Sequence, residues 1–442
     1  MTASGPAVHG LPARVREVRG SMSVIGIGEP SDDELAGRRR QLVILAAALV
    51  LAMSTWFSTA AVLSQLKTAW QLSDSAGSWL TIMVQLGFVA GAALSAATNL
   101  ADRVPPRHLI LLGTIGAATA NAVVAVADAY PVAIAARFAT GACLAAVYPP
   151  SLKAMSSWYR TGRGFALGVM IGALTVGSAL PHLINALGGL PWRLTLAIAS
   201  VLTVTGGLIA DRLGADGPYA TRGAAFDPSQ LRAIVADRRF RLASAGYFGH
   251  MWELYAMWAW AAAFYRDAFS SPRLASLAAF AVIAAGAGGS IYAGLLSDRV
   301  SRTEAAGRAL RSSAAVALVA GFLVDAPAPI VVGAGLVWGF WVVADSAQFS
   351  TIVTEVTNAV YVGTALTVQL AVGFTLTVFT IFLVPVIRDS AGWGWAFLLL
   401  APGPLLGAWA MRTLERELAA EATPGPAAAP LNPTPVFVSP FF

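Results

Sequence analysis

Twelve stretches of this chain are apolar for long enough to cross the hydrocarbon core of a bilayer, which takes a helix of about 20 residues. They run at about 41–63, 76–98, 109–128, 131–151, 164–188 and 191–211, and again at about 241–264, 274–297, 309–325, 329–350, 362–387 and 393–411. Composition agrees. Hydrophobic residues make up 57% of the 442 and charged residues only 12%, half of the roughly 25% that a soluble domain uses to face water. The expected fold is all-α and integral to a membrane, with twelve transmembrane helices.

The stretches fall into two sixes. Residues 38–211 are expected to form an N-terminal six-helix bundle and 241–411 a C-terminal one, joined by a polar loop at 212–240. Residues 1–37 and 412–442 are rich in Gly, Pro and Ala and read as disordered tails. Arg38, Arg39 and Arg40 precede a stretch long enough to span, so the first helix is expected to remain rather than to be cleaved as a signal peptide. Lys and Arg set the orientation: 23 lie on the side of the tails, while Lys67, Arg193, Arg266, Arg273 and Arg388 lie on the other. Both termini are therefore expected in the cytoplasm, and the protein in an inner cell membrane.

Several classes of function are disfavoured. The net charge of +6 comes without basic runs interleaved with aromatics, so no nucleic-acid partner is expected. One cysteine, Cys143, and four histidines offer neither a disulfide framework nor a metal site. No Gly-Lys-Ser/Thr phosphate loop is present and the loops are short, so no cofactor is expected and the chain does not read as an enzyme.

The two sixes repeat each other. "NLADRVPPRH" ends the second apolar stretch and "GLLSDRVSRT" the eighth, which places Asp102 and Asp298 at a separation of 196 residues. Asp128 and Asp325 keep almost the same offset, as do "GFALG" at Gly164 and "GTALT" at Gly363, and Trp192 and Trp393. Parallel six-helix repeats are a transporter architecture, with substrate held between the halves near the midplane.

At these residues the chain resembles the major facilitator superfamily. The family's turn between helices 2 and 3 reads roughly Gly-x-Leu-x-Asp-Arg-x-Gly-Arg-Arg. Leu100, Asp102, Arg103 and Arg107 match it, with Thr98 for the first Gly and Pro105–Pro106 for Gly-Arg. The second copy keeps Gly294, Leu296, Asp298, Arg299 and Arg302. Arg137 and Gly141 match the family's Arg-x-x-x-Gly on helix 4, and "GGLPWR" ending at Arg193 resembles its start of helix 6. The family's Gly-Pro pair in helix 5 is missing, because Leu180 precedes Pro181. The resemblance spans about 40–411 and implies two six-helix bundles that rock about a central site. It also implies that Asp102 and Arg103, and Asp298 and Arg299, latch the halves on the cytoplasmic side.

Ionisable groups at membrane depth are costly and therefore each a candidate for function. Arg137 is a candidate counter-ion for an anionic substrate or a partner in proton coupling; the alternative is a structural arginine bonded to helix 1 backbone. Spacing puts Tyr247, His250, Glu253, Met257 and Trp260 on one face of helix 7, expected to look into the central cavity. Glu253 is there a candidate to gain and lose a proton each cycle, with an uncharged helix–helix contact as the alternative. Trp338, Trp341, Asp345 and Gln348 share a face of helix 10, and Asp345 can gate, pair with a helix end or meet substrate. Thr175, Ser178, His182 and Asn185 form a polar stripe on helix 5 that suits either substrate or helix packing. Trp260 and Trp341 are candidates to stack on a ring-bearing substrate, although interface anchoring explains most tryptophans.

The expectation is a monomeric secondary transporter that moves a small organic solute, first an anion, by alternating access in symport with protons. An exporter of amphipathic or aromatic compounds is the alternative, and a membrane sensor that does not transport is the third reading.

Overall fold

The computed structural model describes residues 32–159, 162–188, 190–220, 226–358 and 361–422. Every regular element among them is helical, as backbone groups without water to bond require. The N-terminal half contains α1, which starts as Asp32–Ala52 and continues in short pieces to Trp70, then α2 (Asp74–Ala97), α3 (Pro106–Val126), α4 (Tyr130–Ser156), α5 (Arg163–Gly188) and α6 (Trp192–Leu213). The C-terminal half contains α7 (Arg238–Ala268), α8 (Pro272–Ser297), α9 (Arg302–Leu323), α10 (Ala328–Val356), α11 (362–391) and α12 (393–422). Gly392, at φ 84°, separates the last two; a side chain would be strained in this left-handed backbone.

Helix starts follow local chemistry. Ser73 accepts a bond from the Ala76 N–H, Asp237 from Phe240 and Ser301 from Glu304, each answering an otherwise orphaned donor. Pro106 and Pro272 open α3 and α8, where no intrahelical donor is lost. Breaks also have causes. Pro149 and Pro150 interrupt α4 near Val147, while α1 passes through a 3-10 turn at Met53–Thr55 that leaves carbonyls unspent.

Both chain ends and the loop between halves lie on one side, here the tail face. Gln41 near the start of α1 bonds to Leu213 O and Ala215 N at the end of α6. Arg238 and Arg239 at the start of α7 pair with Glu417 and Glu421 at the end of α12. These contacts explain two departures from the sequence reading. Residues 32–37 and 412–422, expected as tail, are helical, because the polar helix ends are tied to neighbouring helices rather than set loose in water. The remaining tail residues, 1–31 and 423–442, lie outside the described residues. The central segment is also partly ordered. Gly217 N–H donates to Ser157 Oγ at 2.7 Å on the N-terminal half, and Asp227 N–H to Thr364 Oγ1 at 2.8 Å on the C-terminal half. Between them and α7 lies a helix at Leu231–Ala236.

The halves meet along α5 with α8 and α2 with α11, the pairs that the internal repeat exchanges. Along α5 and α8 the backbones nearly touch: a Cβ on Gly168 would stand 2.6 Å from Ser290 O, and Ser290 Oγ donates to Gly168 O at 2.9 Å. The α2 and α11 pair differs. Towards the opposite face it is closed by Trp79 against Phe382 and Phe88 against Phe374. At the tail face a gap of about 350 Å³ separates Ser95 and Asn99 on one side from Gly363 and Thr367 on the other. The structure is open to the tail face and shut on the opposite one.

Candidate functional site

A cavity of about 450 Å³ lies between the halves in their tail-face portions, within the 300–1,000 Å³ typical of small-molecule sites. Its walls come from α4, α5, α7, α10 and α11. Lys153, Arg163 and His250 line it, and no carboxylate does. Lys153 pairs with Asp102, while Arg163 uses its Nε on Tyr159 O at 2.7 Å; among the described residues its terminal nitrogens have no hydrogen-bond partner, and the side chain lines the cavity. The apolar wall includes Leu167, Ile171 and Leu174 of α5.

The titratable group of the C-terminal wall below the rings is His250. Its Nδ1 lies 2.8 Å from Asp345 Oδ1, and its Nε2 lies 3.0 Å from Ser346 Oγ. Asp345 is the residue at which α10 changes direction, between Ala344 and Ser346, which brings its carboxylate behind the imidazole. His250 is 3% and Asp345 2% exposed, so the carboxylate is screened from the cavity by the ring. With Nδ1 facing the carboxylate, the tautomer protonated there leaves Nε2 as the nitrogen presented to Ser346 and the cavity.

Aromatic rings close the deep end. Tyr255, Trp258 and Phe374 line the cavity and meet Trp56, Phe57 and Phe88 of the N-terminal half, with Phe88 and Phe374 centroids 4.6 Å apart and Phe57 and Trp258 5.6 Å apart. Beyond this layer, polar contacts join the halves at the opposite face. Arg388 of α11 pairs with Asp74 of α2, which also holds Lys67. Asn185 Nδ2 donates to Ser276 Oγ of α8 at 3.0 Å and to Ala61 O at 3.1 Å.

The sequence-derived candidates separate into groups. His250 and Asp345 come together at the cavity. Arg137 does not: it is fully buried inside the N-terminal half and bonds to Thr55 O at 2.9 Å, Leu80 O at 3.1 Å, Asn121 Oδ1 at 3.1 Å and Trp56 O. Its charge is spent on the carbonyls that the break in α1 exposes, so its reading as substrate counter-ion is corrected to the structural alternative. Glu253 is likewise corrected. It lies within the C-terminal half, accepting from Ser313 Oγ of α9 and Trp338 Nε1 of α10, each at 2.7 Å. The face of α7 that meets the cavity carries His250, Leu254, Tyr255 and Trp258 instead. Trp260 is turned to α11, donating to Ile381 O at 2.9 Å, and Trp341 packs edge-on to Tyr292 and Phe340; neither lines the cavity. His182 and Asn185 lie above the aromatic layer, towards the opposite face.

The two repeated turns differ. Asp102 is held by Lys153 of its own half, beside the α2–α11 gap. Asp298 accepts from the backbone N–H of Phe165 at the start of α5, in the other half. Partial burial there holds its carboxyl above the usual carboxylate range, against the opposing pull of Arg302 and of that N–H. Arg103 and Arg299 are exposed.

Sequence reasoning missed Arg163, Tyr255, Trp258 and Phe374. The basic residue sat among loop arginines counted for orientation, and the aromatics sat in helices that are apolar all round, where no face stands out.

Comparison with known proteins agrees with this architecture. Residues 44–344 match the sequence profile of the Major Facilitator Superfamily, and the chain belongs to that family. It is a multi-pass membrane protein of a family of transporters, not of enzymes. Among solved structures it is similar to the human organic anion transporter MFSD10 (TETRAN), with 16% identity, a TM-score of 0.62, and 85% of this chain and 99% of that one covered. It is also similar to the proton:xylose symporter XylE bound to 6-bromo-6-deoxy-D-glucose, with 14% identity, a TM-score of 0.68, and 85% and 95% covered. At these identities the likeness is one of fold. No curated protein sequence gives a significant match.

Proposed function

We propose that this transporter carries a small organic anion with an apolar or aromatic body, in symport with protons, across an inner membrane whose cytoplasmic side is the tail face. The observation that carries the reading is the cavity wall: Lys153, Arg163 and His250 with no acid, beneath a ceiling of Tyr255, Trp258 and Phe374. A carboxylate set near the bases places its hydrocarbon part against the rings, where burial supplies affinity at about 25 cal/mol per Å². One fold neighbour is an organic anion transporter and another a proton symporter, which is compatible with this reading. The basic residues of the tail face support the orientation.

Proton coupling falls to His250 and Asp345. A proton arriving at Nε2 turns that nitrogen from acceptor to donor and places a positive charge at the cavity wall, with Asp345 behind it as counter-ion. An anion in the cavity and a proton on the imidazole then bind better together than apart, and the coupling is reciprocal. The test is uptake of radiolabelled benzoate into proteoliposomes with the interior alkaline. Accumulation driven by the pH gradient, with acidification of the lumen, both faster than in protein-free liposomes that benzoic acid enters unaided, is the expected result; a benzoate flux no greater than in those liposomes, or a protein-dependent flux indifferent to the gradient, overturns the reading. The aromatic ceiling also suits export of ring-bearing compounds, which the direction of net flux in everted vesicles separates from uptake.

A further inference from the structure

The inward-pointing face of α5 continues past the cavity. Leu167, Ile171 and Leu174 line the open chamber; Ser178, His182 and Asn185 follow at helical spacing on the same face. Asn185 is bonded across the halves, whereas Ser178 Oγ and both ring nitrogens of His182 have no hydrogen-bond partner. His182 is 0% and Ser178 1% exposed. Thr59, on the α1 segment Ser58–Ala61 that packs against α5, is also buried with its hydroxyl unpartnered. Buried polar groups are nearly always satisfied, so a cluster of orphans needs a reason. Here they lie in the part of the interface between halves that is shut in this conformation and parts when the opposite face opens.

A cation stands close by. Arg266, near the end of α7 in the other half, is near enough for its charge to act on His182. It makes no hydrogen bond or ion pair among the described residues. The charge of its neighbour Asp267 also acts on it, but that carboxylate is bonded elsewhere, accepting from Trp393 Nε1 at 2.8 Å and lying 3.9 Å from Arg388. Of the other basic groups of that face, Lys67 and Arg388 are occupied by Asp74 and Arg193 by Asp128, while Arg273 is exposed at the start of α8.

We propose that Ser178, His182 and Arg266 form a second anion subsite, above the aromatic layer, that takes the carboxylate of an organic anion when the transporter opens to the opposite face. The inference rests on the anion reading above and extends it: one substrate path has two cationic stations, Arg266 with His182 on one side of the rings and Arg163 with His250 on the other. Ser178 and the imidazole supply hydrogen bonds to the carboxylate oxygens, and Arg266 supplies charge across the interface. Closing the opposite face strips that ligand away and leaves the three orphaned atoms seen here.

The test needs no knowledge of the natural substrate. In a Cys143→Ala background, His182→Cys and, separately, Ser178→Cys are placed in nanodiscs, where both faces meet the reagent. Labelling rates with the anionic sulfonatoethyl and the cationic trimethylammonium-ethyl methanethiosulfonates are each divided by the rate for a free thiol. The expected result is labelling at one or both positions with an anion preference of about fivefold or more, lost when Arg266→Gln is added. Absence of labelling at both positions, labelling without charge preference, or a preference that survives Arg266→Gln overturns the proposal. Benzoate uptake distinguishes the two readings. Uptake without the labelling preference leaves the anion transporter and removes the subsite; the preference without uptake leaves the subsite and removes benzoate-type substrates.

Discussion

His250 and Asp345 form a buried pair, Nδ1 to Oδ1 at 2.8 Å, in which only the histidine borders the central cavity. The carboxylate fixes the ring's tautomer and balances its charge, so its loss acts through the imidazole. Asp345→Asn is expected to lower pH-driven benzoate accumulation by roughly tenfold, towards the lower end of the usual range for coupled sites. Counterflow exchange without a gradient changes much less. Equal losses in both assays would assign Asp345 to folding rather than to coupling.

Glu253 behaves differently. Glu253→Gln keeps one acceptor and loses the other to an amide nitrogen that cannot accept from Trp338 or Ser313. A stability loss of about 1–3 kcal/mol is expected, seen as a lower Tm, with the pH dependence of uptake intact. Abolished proton coupling in a stable variant would return Glu253 to the pathway.

Arg137 holds four helices of its half together through backbone and amide acceptors. Arg137→Met strands those acceptors in a dry interior, and a destabilisation of about 1–3 kcal/mol for each one left unsatisfied is expected. Arg137→Lys recovers only part of it, since an ammonium cannot reproduce the planar fork. The readout is thermal unfolding in detergent; a variant of normal Tm with selectively lost anion affinity would contradict the structural role.

Asp298 supplies a pH dependence whose sign follows from its raised carboxyl. A carboxyl held above its unfolded value disfavours the folded form at neutral pH, and this penalty shrinks as pH falls towards the group's own range. Asp298→Asn keeps an oxygen for the Phe165 N–H and removes the partly desolvated charge. The variant is expected to unfold at a higher temperature than the parent at pH 7.5, with the difference narrowing by pH 5. A difference that widens on acidification would show the carboxylate to be stabilised where it sits.

Much of this was legible in the sequence. Span lengths, the repeat at Asp102 and Asp298, and the family resemblance gave the twelve-helix plan, because hydrophobic length and charged turns are local signals. Facing was not legible. The middle of α7, from Met251 to Tyr265, is almost wholly buried, so its polar residues divide between cavity and bundle interior with no one-sided apolar stripe to tell the two apart. Thus spacing placed Glu253 beside His250, while packing turned the first to Ser313 and the second to Asp345. Arg137 was ambiguous for another reason: its partners are main-chain carbonyls freed by a break in α1, and no side chain announces such a break.

The seam of α5 and α8 sets how the tail face can move. Gly164 and Gly294 bring their backbones together at that face, and Ser290 bonds across to Gly168 deeper in, while α2 and α11 stand apart at the same level. A structure joined along one edge and parted along the other swings like a door on its hinge post. Access from the tail face is consequently one-sided, and a bulky residue at Gly168 would jam the hinge while leaving the doorway clear.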